Sequence, residues 1–155
     1  VRLYDPLCSV PLRAWQRVIV SELTQEYDGR TVVWVADSLG GAGKTGLCRH
    51  LLLTRTDVQY VTGGKGADIA YVVSEKCRVL LLDLPRQAEG KISYAIIEQA
   101  ANGMIFSPKY ESRLKIMLPI RVYIFANWLP DLSQLSADRW DVRSLGTSDL
   151  VLESV

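Results

Sequence analysis

One stretch constrains the fold more than any other: Asp37-Ser38-Leu39-Gly40-Gly41-Ala42-Gly43-Lys44-Thr45. The apolar run Thr31-Val32-Val33-Trp34-Val35-Ala36 precedes it, and Gly46-Leu47-Cys48-Arg49-His50-Leu51-Leu52-Leu53 follows. That order predicts a buried strand, a glycine-rich turn and a helix. Glycines let the backbone fold tightly and aim several N–H groups at one point. The first turn of the next helix adds its unpaired N–H groups and the positive end of its dipole. Such a nest suits a phosphate. Lys44 would reach the β- and γ-phosphates, and the Thr45 hydroxyl would ligate Mg²⁺. The candidate nucleotide site is therefore Gly40, Gly41, Ala42, Gly43, Lys44 and Thr45, with ATP and Mg²⁺ as expected cofactors. The general pattern has its first glycine at position 38, where this chain has Ser38, and Gly40 and Gly41 restore freedom just after it. An ordinary glycine turn with an exposed lysine is the plain alternative. A Gly-Lys-Thr lodged between a buried-type strand and an apolar helix argues against that.

Arg78-Val79-Leu80-Leu81-Leu82-Asp83 is a second continuous apolar run, and it ends in a carboxylate. Strands apolar on both faces belong inside parallel sheets. Ligands of open α/β sheets bind at the carboxyl ends of such strands. With a phosphate loop in the same chain, Asp83 is the candidate Mg²⁺ partner beside Thr45. Arg121-Val122-Tyr123-Ile124-Phe125-Ala126-Asn127 is a third buried-type run, ending in an amide.

The rest of the 155 residues fits one α/β domain. Helices are expected over 12–27, where Trp15, Val18, Ile19 and Leu23 recur at helical spacing, over 67–75 and over 92–102, the last closed by Asn102-Gly103. Val58 to Val61 reads as a short strand, and Met104 to Leu118 as a basic hairpin or loop. Gly63-Gly64-Lys65-Gly66 is a second glycine-rich loop that could touch phosphate, but with no Gly-Lys-Thr after it a plain turn is the favoured reading. A short helix is expected over 132–142 and a final strand over 150–152. The sum is a three-layer, mainly parallel α/β fold of phosphate-loop type with an N-terminal helical lead-in. A formal net charge of +1 leaves no global polycation, so any nucleic-acid contact must be local. Cys8, Cys48 and Cys77 are widely spaced and form no Cys-x-x-Cys, which argues against a disulfide framework or a zinc site. No apolar run approaches membrane-spanning length. The chain starts at Val1 without Met, as a piece of a longer protein would.

A phosphate loop, an Asp and then an Asn at three strand ends, in this order, resemble the superfamily 3 helicases of the AAA+ class. The closer resemblance is to the replication-initiator (Rep) proteins of small circular single-stranded DNA viruses, nanovirus and alphasatellite Reps above all. It is carried by Leu12-Arg13-Ala14-Trp15-Gln16, the phosphate loop, Gly63-Gly64-Lys65, Asp83-Leu84-Pro85-Arg86, Lys109-Tyr110-Glu111, Phe125-Ala126-Asn127-Trp128-Leu129-Pro130-Asp131 and Leu135-Ser136-Ala137-Asp138-Arg139. The coverage is roughly residues 12–143.

The resemblance implies roles by position. Asn127 falls where an amide orients the attacking water. Lys109 falls in the hairpin region that touches DNA. Arg139 matches an arginine that serves as a finger toward a neighbouring subunit's ATP. It also implies residues 1–28 as an oligomerisation-type segment, 29–155 as the ATPase domain, a hexameric homo-oligomeric ring, single-stranded DNA as partner and a host-nuclear location. Two features depart from the family's pattern. Asp37-Ser38 replaces the Gly-Pro that opens its loop, and Leu84 stands where many ATPases place a second acid. Glu89 is a candidate base by its nearness in sequence alone. A single histidine cannot supply the His-hydrophobe-His metal site of the family's nicking domain, so this chain is expected not to nick DNA itself.

Two functions of different class fit these residues. One is an ATP-driven helicase domain acting on single-stranded DNA. The other is a nucleotide-gated binding or assembly module with negligible turnover. A small-nucleotide kinase shares the loop, but the block ending in Asn127 argues against it.

Overall fold

Residues 3, 5, 7, 10–38, 40–63, 65–109, 112–145 and 152–154 are described by the computed structural model. In chain order the elements are α1 (Ala14–Glu22), β1 (Val32–Ala36), α2 (Lys44–Thr54), β2 (Val58–Val61), α3 (Gly66–Val72), β3 (Val79–Asp83), α4 (Tyr94–Asn102), β4 (Met104–Ser107), β5 (Arg113–Ile116), β6 (Arg121–Ala126), β7 (Trp140–Leu145) and β8 (Leu152–Ser154). The main sheet runs β2-β3-β6-β1-β7-β8. Its first five strands are parallel, and β8 closes the edge antiparallel to β7. β1 is buried along its whole length, which is why its sequence does not alternate.

Side chains of successive strand residues point to opposite faces, so each central strand feeds two cores. On one face Val33 and Val35 of β1 and Tyr123 and Phe125 of β6 meet Trp15 and Ile19 of α1, Leu23 just after it, and Leu47, Cys48 and Leu51 of α2. On the other, Trp34, Leu80, Leu82 and Ile124 meet Ile69 and Ala70 of α3 and Ile96, Ile97, Ala100 and Ala101 of α4. The three-layer expectation is met. α1 is part of the first core.

The expected helix over 132–142 is not formed. Two 3-10 turns, Leu132–Gln134 and Ala137–Arg139, stand there instead, and β7 begins at Trp140. The Asp131 side chain accepts the Ser133 N–H, starting a tight turn rather than an α-helix. Val32↔Trp140 to Ala36↔Ser144 then pair β7 with β1. Arg143 and Asp141 disguise this strand in the sequence. Both are tied off locally, Arg143 on Glu22 of α1 at 2.7 Å and 2.5 Å and on Asp141 at 2.8 Å. The expected last strand over 150–152 lies outside the described residues except for Leu152.

β4 and β5 form the expected hairpin over 104–118. Its inward Lys115 donates to the carbonyls of Ala70, Tyr71 and Val73 at 2.7, 3.0 and 2.7 Å, capping the end of α3. Among the described residues no helix is long and apolar enough to cross a membrane.

Candidate functional site

The site is set by sheet order. β6 lies between β1 and β3, so the loop after β1 and the carboxylate ending β3 sit two strand spacings apart. α2 begins at Lys44 and carries Thr45 across that gap. The Thr45 hydroxyl donates to Asp83 Oδ2 at 3.0 Å. The register places Asp83 level with Phe125 and Ala36 level with Ala126, so all three strands end together. Asn127 follows directly after β6 and donates from Nδ2 to the Asp37 carbonyl at 2.6 Å. Lys44 and Thr45, Asp83, and Asn127, three separate places in the sequence, therefore gather at the carboxyl ends of the central strands.

Asp37 takes over the opening of the loop, where the sequence marks a departure from the family. It is 2% exposed. Its N–H donates to the Ala126 carbonyl at 2.8 Å, and its Oδ1 accepts the Gly40 N–H at 3.0 Å. The Gly40 N–H is thus committed to the Asp37 side chain. Oδ2 of Asp37 lies 3.7 Å from the Lys44 ammonium, whose side chain is 13% exposed. Gly40, Gly41 and Gly43 all adopt positive φ. Gly43 is favoured by its φ of +93°, and a Cβ there would lie 2.9 Å from Gln16 Nε2, which would have to shift.

Tyr60 belongs to this site although nothing in the sequence singles it out. From β2, its phenol donates to Asp83 Oδ2 at 2.8 Å, alongside Thr45. Burial and the hydrogen bond to Asp83 both push that phenol above its ordinary range. Only the sheet order, which sets β2 beside β3, makes Tyr60 a neighbour of Asp83.

The block after β6 is anchored by aromatic rings. Trp34 Nε1 donates to the Trp128 carbonyl at 2.8 Å, and the Tyr94 hydroxyl accepts the Asp131 N–H at 3.0 Å. Trp34 also packs edge-on to Trp128 and Trp140, with centroids 6.4 and 6.2 Å away. These contacts fix the chain that carries Asn127.

Three other residues stand elsewhere. Arg139 lies at the start of β7, level with the beginning of β1 and so at the opposite end of the strands from Lys44. Its side chain is 7% exposed. It donates to Asn102 Oδ1 at 2.6 Å and to the Arg30 carbonyl at 3.2 Å, a brace inside the chain rather than an outward finger. Lys109, between β4 and β5, pairs with Asp68, and its ammonium lies 5.9 Å over the Tyr71 ring. Glu89 is exposed and lines a cavity of about 380 Å³ with Tyr94, Trp128 and Gln134. Leu84, in the position of a second acid, is buried at 3% exposure.

Among the described residues no three His, Cys, Asp or Glu side chains gather as a metal site. The donors present, one hydroxyl and one carboxylate, fit Mg²⁺ held largely by phosphate and water oxygens. Cys48 and Cys77 are free and buried, and burial pushes the Cys77 thiol up to about 11, so it is inert.

No protein-family model matches the chain. Similar sequences do. The Master replication protein of Faba bean necrotic yellows virus is 44% identical over 120 residues, 77% of this chain and 41% of that protein. Para-Rep C6 of Subterranean clover stunt C6 alphasatellite is 37% identical over 131 residues, 83% of this chain and 46% of that protein. The Master replication protein of Banana bunchy top virus is 36% identical over 126 residues, 81% of this chain and 43% of that protein. The chain spans less than half the length of these relatives. Over most of its length it is homologous to part of the replication (Rep) proteins of single-stranded DNA viruses, those of nanoviruses and alphasatellites.

Proposed function

We propose that this chain is an ATP-hydrolysing DNA helicase domain that works in viral rolling-circle replication. The single observation that carries the reading is the Thr45 hydroxyl on Asp83 across an intervening strand, with Asn127 at that strand's end. When bound, Mg-ATP would supply the phosphoanhydride to be cleaved and the ion that shields its charge. The amides of Gly41 to Thr45 would hold its phosphates, with Lys44 neutralising charge at the β and γ positions. Thr45 and Asp83 would hold the metal, and the Asn127 amide would orient the attacking water.

Two of the relatives are named Master replication protein, which supports work on viral DNA. Single-stranded DNA as partner, a hexameric homo-oligomeric ring and action in the host nucleus belong to the same proposal. Lys109, on the hairpin turn, would neutralise one DNA phosphate by exchanging its contact with Asp68.

A second reading has its own observation. The position of a second acid holds buried Leu84, so no carboxylate follows Asp83 to activate water. A nucleotide-gated DNA-binding module with negligible turnover would look like this.

The deciding experiment is steady-state ATP hydrolysis with and without single-stranded DNA, for the wild type and Lys44→Ala. DNA-stimulated turnover abolished by the substitution supports the motor. ATP binding without turnover supports the gated module. Absence of ATP binding sinks both.

A further inference from the structure

Helix α1 touches the phosphate loop at three consecutive residues. Arg13 Nη1 donates to the Gly41 carbonyl at 3.1 Å, Trp15 Nε1 to the Ala42 carbonyl at 3.1 Å, and Gln16 Nε2 to the Gly43 carbonyl at 3.2 Å. These donors come from one end of one helix and meet the loop in order. A loop that turns its N–H groups toward a phosphate turns its C=O groups outward on the convex side. Those carbonyls need donors wherever water is shut out, and Ala42 is only 1% exposed.

The donors are themselves fixed. Trp15 is fully buried and packs on Phe125 of β6 with centroids 6.3 Å apart, while Gln16 is 2% exposed. Gln16 Oε1 accepts the Arg13 N–H at 2.9 Å, so its amide is oriented at both ends. A Cβ on Gly43 would lie 2.9 Å from Gln16 Nε2 and displace it, so the two groups approach closely.

We infer that Arg13, Trp15 and Gln16 are positioning residues for the phosphate site. They form a clamp that holds the loop in ligand-ready shape, so α1 sets the affinity for the nucleotide phosphates. Paired carbonyls polarise their peptide units and strengthen the N–H groups on the concave side. A loop already ordered also loses less entropy when it binds. The inference rests on the nucleotide reading above for its ligand, but not for the clamp itself.

The test uses Gln16→Glu, which has the same shape. It keeps the oxygen that accepts from Arg13 and replaces the donor facing Gly43 with an acceptor. Two quantities are read: ADP affinity by calorimetry, and hydrogen exchange of the amides of residues 40–45 in nucleotide-free protein. ADP affinity about ten-fold weaker, with faster exchange confined to those amides, is the expected result. Trp15→Phe, which stays aromatic but loses the N–H together with the five-membered ring, should move both quantities in the same direction. Arg13→Ala is the variant that cannot disturb the core, because Arg13 is exposed, and a loss of about three-fold in affinity is expected from it. Arg13→Lys should restore part of that loss.

Affinity within two-fold of wild type in all these variants, with exchange unchanged, would overturn the clamp. If the wild type binds no ADP, the nucleotide reading falls, and the exchange measurement alone decides the clamp. Unchanged exchange in Gln16→Glu and Arg13→Ala then refutes it, and faster exchange at 40–45 upholds it.

Discussion

The phenol of Tyr60 donates a 2.8 Å hydrogen bond to Asp83 Oδ2, the oxygen that also receives the Thr45 hydroxyl. Two donors from two different elements therefore aim one carboxylate. Partners that orient a metal-holding carboxylate typically matter about 10–100-fold in metal affinity or activity. Tyr60→Phe keeps the ring and removes the donor. The Mg²⁺ concentration for half-maximal ATP turnover is expected to rise about ten-fold, with the melting temperature nearly unchanged. An unaltered Mg²⁺ titration would remove Tyr60 from the site.

Asn127 ties the end of β6 to the start of the phosphate loop through the Asp37 carbonyl. Asn127→Asp keeps the shape but sets an acceptor against an acceptor. Turnover is expected to fall about 100-fold, as for loss of one oriented donor at a reacting centre. ATP binding should weaken as well, because Asp37 also holds the Gly40 N–H. Equilibrium binding beside single-turnover hydrolysis separates the two effects. Normal turnover in Asn127→Asp would leave the residue a mere strand-end cap.

Gly103 closes α4 with φ +74°, and a Cβ on it would lie 2.3 Å from the Met117 carbonyl oxygen. Gly90 has a similar φ of +78° but open space around it. The pair separates backbone strain from collision. Gly90→Ala should cost about 1 kcal/mol, from the left-handed backbone alone. Gly103→Ala should cost about 2–4 kcal/mol, since the β4–β5 hairpin must also shift. Urea unfolding of both variants checks the difference, and equal costs would refute it.

Alkaline pH should unfold the protein through its buried phenols. Burial, reinforced by the Glu22 charge, pushes Tyr123 up to about 12 from its usual 10. Burial likewise raises Tyr27. A phenol with a raised pKa stays neutral in the folded protein while the unfolded chain ionises. Its stabilisation is complete below pH 10 and decays as the pH rises from there through about 12. Each such group should remove about 1.4 kcal/mol per pH unit within that window. Urea midpoints measured from about pH 9 to about pH 11 should fall, and less steeply in Tyr123→Phe. A flat profile would contradict the burial of these rings.

The sequence by itself determined the elements whose signal is local. Continuous apolar runs declared β1, β3 and β6 as central strands, because a strand covered on both faces has no solvent side to mark. Gly-Lys-Thr after such a strand declared the loop, and the carboxylate and amide ending two further runs declared Asp83 and Asn127. Leu132 to Val142 misled because Leu132, Leu135 and Trp140 mimic a helical face. Two 3-10 turns, the first capped by the Asp131 side chain, break that face, and β7 forms by pairing with β1, about a hundred residues away.

Tertiary structure alone decided which residues meet. Whether Tyr60 reaches Asp83, whether Arg139 faces a neighbour or braces Arg30 and Asn102, and whether α1 stands apart or grips the loop all depend on sheet order and helix packing. Those contacts join residues some 20 to 110 positions apart. No local pattern encodes them, since each follows from burial of both sheet faces at once.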